Sequence, residues 1–346
     1  VKKRAKMKQG GKEYDASSIL EVLLSLGNVS SPKAAAIAVK LISSTQASTI
    51  GKTDPTWAGE IDRPNRTTRW TIHVSLFACT AFTTFLAGAS GWQPLVLGLD
   101  EGLWEKVALG WPDGLLYMVT VLAVLGAHES GHFFIAKWHR VPATLPFFLP
   151  VPVLLTGTLG AVMGMEGSRA TRRQLFDIAL AGPIAGLVIA LPFLAIGLFV
   201  SQADSRGPFA LPLLARWLLG ILRPDLPSGS LVAPNPLFMA GWVGLLVTGL
   251  NMLPISQLDG GHVVYSLIGP TSKWIGRSLL IAAILSVVVL GAYNWIVLIV
   301  IITLIGADHP PTADDQMSLG LFRTMLGTIS LLIPFLTFMP EPLLFD

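Results

Sequence analysis

The five residues His128-Glu129-Ser130-Gly131-His132 follow the pattern H-E-x-x-H. In a helix, positions four apart share a face, so both imidazoles can reach one ion while Glu129, one position round, addresses a water bound to it. The chemistry such a set serves is metal-assisted hydrolysis. A zinc ion polarises a carbonyl and lowers the pKa of its water, and the glutamate takes the proton as general base. The competing reading is two hydrogen-bonded histidines and a structural glutamate in helix packing. Glu129 weighs against it, because it is the only formally charged residue from 114 to 136, and an ionisable group inside an apolar span costs a few kcal/mol or more unless it is paired or functional. His128 precedes Lys137 by nine residues, about 13 Å of helix, which submerges the site below the membrane surface.

A catalytic zinc takes three protein ligands and leaves one position to water, so the motif needs a partner from elsewhere. Within or beside the apolar blocks the candidates are His73, Asp177, Asp259, His262 and His309. Asp259 has the surroundings of a site, in Asn251-Met252-Leu253-Pro254-Ile255-Ser256-Gln257-Leu258-Asp259-Gly260-Gly261-His262. Pro254 disrupts the helix, the two glycines let backbone approach closely, and the carboxylate sits at the break. Broken helices at membrane depth are where polar sites are built. Asn251 has hydrogen-bonding groups either for a substrate backbone or for bracing the break. His262 suits packing or a place behind the ligands, His73 an interspan hydrogen bond, and His309, in Asp308-His309-Pro310-Pro311, an interface group or cap. One Zn2+ per chain on His128, His132 and Asp259, with a hydroxide, leaves a centre near neutral, and Glu129 carries the extra negative charge of a base. The three donor atoms are expected to converge on a point about 2 Å from each.

Membrane-spanning helices must position these residues. Of 346 residues, 52% are hydrophobic and 13% charged, against roughly 25% charged in a soluble domain, and the mean hydropathy is +0.63. The apolar blocks reach the length of about 20 residues that a bilayer requires. Seven spans are expected, at 70–88, 114–136, 174–201, 236–256, 275–290, 293–307 and 324–339; the fifth and sixth are either one long bent segment or a tight hairpin, which their combined length of about 48 Å favours. Segment 144–165 carries Pro146, Pro150 and Pro152 and then Gly157, Gly160 and Gly164. It cannot be a regular helix, and it reads as a re-entrant loop or short hairpin beside a cavity, or else as an interfacial loop. Gly182-Pro183-Ile184-Ala185-Gly186 has small residues four apart, a spacing that permits close packing on the His128 helix. The single cysteine, Cys79, excludes an intramolecular disulfide and a Cys-rich zinc site, and it reads as a small buried hydrophobe. Lys2, Lys3, Arg4, Lys6, Lys8 and Lys12 read as a disordered cytoplasmic tail near anionic lipid, with helical character further on around 17–26 and 34–42; no nucleic-acid module stands out. Basic flanks at Lys137, Arg140, Arg169, Arg172 and Arg173 put the His132 end of the second span on the cytoplasmic side, and 89–113 becomes an outer loop. A second outer loop, 202–235, is expected to hold an interfacial helix around 211–222.

Together, His128-Glu-Ser-Gly-His132, Gly182-Pro183-Ile-Ala-Gly186 and Asn251 through Leu258-Asp259-Gly260 resemble the site-2 protease family of intramembrane zinc metalloproteases. The resemblance covers about 114–310. It implies an all-α polytopic membrane protein with a three-span catalytic core, a re-entrant loop or β-hairpin, and additional flanking spans. His128, His132 and Asp259 would be zinc ligands, Glu129 the base, and Asn251 would lie near the substrate. The stretch around Gly157 and Gly160 would be the hairpin that lays a substrate strand by the metal. Substrates would be transmembrane segments of other proteins that can unwind. The connections at 137–173 and 202–235 are too short for the PDZ-type domain of many bacterial members, so the chain resembles the PDZ-less branch, which includes chloroplast-type members and bacterial relatives, and a bacterial plasma membrane is the expected location. The expected organisation is 1–69 as a cytoplasmic segment, 70–113 as first span and outer loop, 114–266 as protease core and 267–346 as C-terminal spans. The rival classes are an inactive scaffold or chaperone of the same fold, and a metal transporter, which would spread acidic and histidine residues along a path.

Overall fold

A computed structural model describes residues 6–9, 12–15, 66–92, 102–204, 209–227, 229–291, 295–306 and 308–339. They divide into two units, Val1–Pro64 and Asn65–Asp346. In the first, β1 (Lys6–Gln9) pairs antiparallel with β2 (Lys12–Asp15), from Lys6 opposite Asp15 to Gln9 opposite Lys12. This corrects the disordered tail expected there. The intervening Gly10-Gly11 is a pair that two-residue hairpin loops favour. The helical character expected around 17–26 and 34–42 lies outside the described residues.

The second unit is a polytopic helical bundle. Its helices are α1 (Arg66–Ala89), α2 (Leu103–Trp138), α3 (Arg172–Val200), α4 (Leu213–Leu222), α5 (Pro236–Asn251), α6 (Asp259–Ile268), α7 (Ser272–Leu290), α8 (Ile296–Ile305), α9 (Leu321–Ser330) and α10 (Ile333–Thr337). Among the described residues, four stretches are helical, long and apolar enough to cross a membrane: Trp70–Ala89, Leu103–Trp138, Arg172–Val200 and Asp259–Val289. α4 occupies the place expected for an interfacial helix.

The last expected span, 324–339, is broken into α9 and α10 by a turn at Leu331 and Leu332, and two other boundaries differ from the sequence reading for identifiable reasons. α2 begins at Leu103, inside what reads as an outer loop. Glu105 falls in its first turn, where a carboxylate complements the helix dipole, and its 36 residues make about 54 Å, well beyond a hydrocarbon core of about 30 Å. The expected span 236–256 stops at Asn251. Beyond it the bonds Leu253 N to Leu250 O and Ile255 N to Leu253 O form tight turns, Ser256 takes a φ of 53°, and a new helix starts on Asp259.

Sequence signals set the other helix starts. Thr171 and Gln174 form a reciprocal capping box on α3, and the Asn235 side chain accepts from Phe238 N at the start of α5, with Pro236 in the first turn. α2, α3 and α5 pack on one another around Tyr117, Leu194, Leu198, Phe238, Trp242 and Leu245, all buried. The outward faces are equally apolar: Leu109, Phe134, Val188 and Phe199 are exposed, as the lipid-facing side of a span should be. Cys79 is also exposed, on α1. It was expected to be buried, but hydropathy does not tell a lipid face from a protein core.

Segment 144–165 forms a hairpin, β3 (Phe147–Pro150) antiparallel to β4 (Thr158–Val162), with Phe147 opposite Val162 and an irregularity between Phe148 and Pro150. Protein groups tie it down. His73 Nδ1 donates to the Pro146 carbonyl at 2.9 Å, and the Tyr117 hydroxyl donates to the Thr156 carbonyl at 3.0 Å. Gly157 has a φ of +72°, and a Cβ there would lie 2.5 Å from the Thr83 carbonyl oxygen. A side chain at 157 therefore meets both backbone strain and α1. We expect Gly157→Val to destabilise the detergent-solubilised protein by about 1–3 kcal/mol. Gly126→Ala, with open space around its Cβ, should stay within about 0.5 kcal/mol. Thermal unfolding of the two variants checks this, and equal midpoints would contradict the packing described.

Candidate metal centre

α2 carries His128 and His132 one turn apart on its protein-facing side, both buried, with Glu129 buried beside them. α6 brings Asp259 to the same point. The Asp259 Oδ2 atom lies 3.3 Å from His128 Nε2 and 3.3 Å from His132 Nε2. One donor atom from each of the three residues lies within 4.8 Å of the others.

The protons around this cluster decide what it can hold. His132 Nδ1 donates to the Ile178 carbonyl of α3 at 2.8 Å, which in the neutral ring leaves the lone pair on Nε2, facing the cluster. Asn251 Nδ2, from the last residue of α5, lies 3.2 Å from His128 Nε2, at the edge of the same cluster. The buried Asp259 Oδ2 has no hydrogen-bond donor. Two imidazole nitrogens and a carboxylate oxygen thus meet at one buried point, an arrangement that suits a cation at their centre. Size agrees: ligand bonds of 2.0–2.1 Å in a tetrahedron put donor atoms about 3.3 Å apart. Nitrogen and carboxylate donors without thiolate suit zinc among other divalent ions.

α3 makes room for the rings. A Cβ on Gly182 would collide with the His132 imidazole, and one on Gly186 would lie 3.0 Å from His128 Nδ1. A Cβ on Gly131 would lie 2.5 Å from the Ala181 carbonyl oxygen, so the α2 and α3 backbones touch at the motif itself. The close packing expected of Gly182 and Gly186 is present, and it serves to seat the imidazoles.

Comparison with known proteins agrees with this geometry. The profile of Peptidase family M50 matches residues 116–292, which include His128, Glu129, His132 and Asp259. The chain belongs to peptidase family M50. Relatives with curated descriptions include the probable zinc metalloprotease EGY2, chloroplastic, of Arabidopsis thaliana, 31% identical over 285 residues, covering 80% of this chain and 50% of the relative. The probable zinc metalloprotease EGY1, chloroplastic, of the same plant is 32% identical over 310 residues (81% and 55%), and its counterpart in Oryza sativa subsp. japonica 28% over 311 residues (81% and 52%). The chain spans about half the length of these relatives. The M50 assignment bears out the resemblance to site-2 proteases read from the three motifs.

The remaining candidates are engaged elsewhere. Asp177 receives Arg323 Nε at 2.7 Å and Nη2 at 3.0 Å, and lies 3.1 Å from His139 Nε2, so it joins α3 to α9 and the end of α2. His73 holds the hairpin. His262 and His309 pair with each other, His262 Nδ1 to His309 Nε2 at 2.5 Å. The His309 ring stacks on Tyr265, whose hydroxyl donates to Asp315 at 2.9 Å. Against the upward pull of partial burial, hydrogen bonds from Thr312 and Tyr265 hold the Asp315 carboxyl below the ordinary carboxylate range. Gly160, at a φ of +106°, has Val247 of α5 as its neighbour, and Gly157 lies against α1. Ile178 is the site residue that sequence reading missed, since it acts through its carbonyl and no side-chain pattern announces it.

If Gly182 is what admits the His132 ring to this M50 centre, Gly182→Ala should lower zinc affinity about tenfold or more, the range for lost support of a ligand. Competition with a chromogenic chelator would measure it. Unaltered affinity would show that the ring needs no such space.

Proposed function

We propose that this chain is an intramembrane zinc-dependent endopeptidase that cleaves transmembrane segments of membrane proteins. The observation that carries the reading is the meeting of two imidazole nitrogens, on a helix long enough to cross a membrane, with a carboxylate oxygen 3.3 Å from each, beside the buried Glu129. His128, His132 and Asp259 would hold one zinc ion, which when bound polarises a carbonyl and acidifies water. Glu129 takes the proton from the attacking water and returns it to the leaving amide nitrogen. Asn251 offers an N–H at the edge of the centre for a substrate carbonyl. The substrate helix must unwind, because a peptide group within a helix is screened by its own backbone bonds. The hairpin is proposed to be re-entrant and to receive the unwound segment at β4, where Leu159 and Val162 are exposed and Gly160 keeps the approach clear.

In this reading the core comprises α2, α3 and the α5–α6 pair, within a chain of seven spans. The His132 end of α2 and the basic N-terminus share the cytoplasmic side, with anionic lipid near the first lysines. Among the described residues, His128, His132 and Asp259 form the one group of three such donors, which favours a single reaction centre over a transport path. The relatives' chloroplastic descriptions lend no support to the bacterial location expected from the sequence.

Two substitutions test the roles in the purified full chain. Glu129→Gln should keep about one zinc per chain and lose cleavage of a membrane-spanning reporter by about 10²–10⁴-fold. Asp259→Ala should bind zinc far more weakly, through the two histidines alone, and lower the zinc content of the purified chain. Proteolysis undiminished in the first variant, or zinc content unchanged in the second, would overturn the corresponding assignment.

A further inference from the structure

Asp259 is the first residue of α6, a short helix packed on the turn before it, where a Cβ on Gly260 or Gly261 would collide with the Met252 or Ser256 carbonyl oxygen. α6 is joined to α5 by the irregular turn 252–258 and to α7 by a short 3-10 turn. A further grip comes from 308–315, beyond the 116–292 that match the family. His309 holds α6 at two places. Its Nδ1 donates to the Pro310 carbonyl, so its Nε2 accepts from His262 Nδ1, and its ring lies flat on Tyr265, with centroids 4.1 Å apart and planes at 21°. His262 and Tyr265 follow Asp259 by three and six residues, so the grip covers the first two turns of α6.

The same segment is anchored to α3. Ala313 N donates to the Ala170 carbonyl at 2.9 Å, and Arg172 N to the Asp314 carbonyl at 3.4 Å. Arg172 then reaches the other end of α6, donating to the Ser266 and Leu267 carbonyls at 2.5 and 2.7 Å. α3 is the helix whose Ile178 carbonyl orients His132. Segment 308–315 thus links the helix that carries the carboxylate to the helix that orients an imidazole.

We infer that His309 is the positioning residue for Asp259, setting the rotation and depth of α6 so that the carboxylate meets the two imidazoles. The inference rests on the reading of Asp259 as a metal donor. It is tested by zinc affinity of the detergent-purified full chain, measured by chelator competition in a double-mutant cycle. His309→Ala should weaken zinc binding about tenfold or more, yet have no further effect in an Asp259→Ala background, because it acts through that carboxylate. His309→Phe, which keeps a ring on Tyr265 and loses the bond to His262, should fall between wild type and His309→Ala, and it serves the same cycle should the alanine variant fail to fold. Wild-type affinity in both His309 variants, with Asp259→Ala impaired, would overturn the inference alone. So would an equal loss with and without Asp259, which marks a general structural role. Wild-type affinity in Asp259→Ala would overturn the ligand assignment and this inference together.

Discussion

A carboxylate taken out of water is stabilised only if a positive charge or hydrogen-bond donors meet it, and the penalty for leaving it unpaired is several kcal/mol. At Asp259 the buried Oδ2 atom has no hydrogen-bond donor, and the Nε2 atoms of His128 and His132 each lie 3.3 Å from it. With both rings neutral, three electron-rich atoms meet between helices, which is tolerable if a cation sits among them. The other features of the centre follow from bringing those three atoms together and holding them there.

Each supporting element meets part of that demand. α2 supplies both imidazoles at a spacing its own geometry fixes. α3 supplies the Ile178 carbonyl that selects the tautomer of His132 and, through Gly182 and Gly186, the volume the rings occupy. The break after Asn251 ends one helix at the cluster and begins another on Asp259. Asn251 and Asp259, eight positions apart, can then face the same histidine. α1 and α2 cover the backbone of the hairpin through His73 and Tyr117, as a place at membrane depth would require.

The local part of this arrangement was legible in the sequence. H-E-x-x-H is an i,i+4 pattern that a helix turns into one face, the prolines of 144–165 forbid a helix, and Pro254 with Gly260 and Gly261 announces a break. Harder to read was whatever depends on partners distant in the chain. From sequence His309 reads as an interface group or cap, because nothing in Asp308-His309-Pro310-Pro311 states that its ring stacks on Tyr265. The stretch 103–113 reads as loop although α2 begins at Leu103, because Glu105, Lys106 and Asp113 suit a loop as well as the end of a helix that projects beyond the hydrocarbon. Hydropathy could not show that Cys79 is exposed, because lipid and protein core select the same side chains.

The central claim is that His128, His132 and Asp259 enclose one divalent ion, and zinc K-edge X-ray absorption on the purified full chain tests it most directly. The account predicts a shell of nitrogen and oxygen donors at about 2.0–2.2 Å, with the outer-shell scattering of two imidazoles and no sulfur. A six-coordinate oxygen shell without imidazole scattering, or a chain that takes up no zinc, would contradict it.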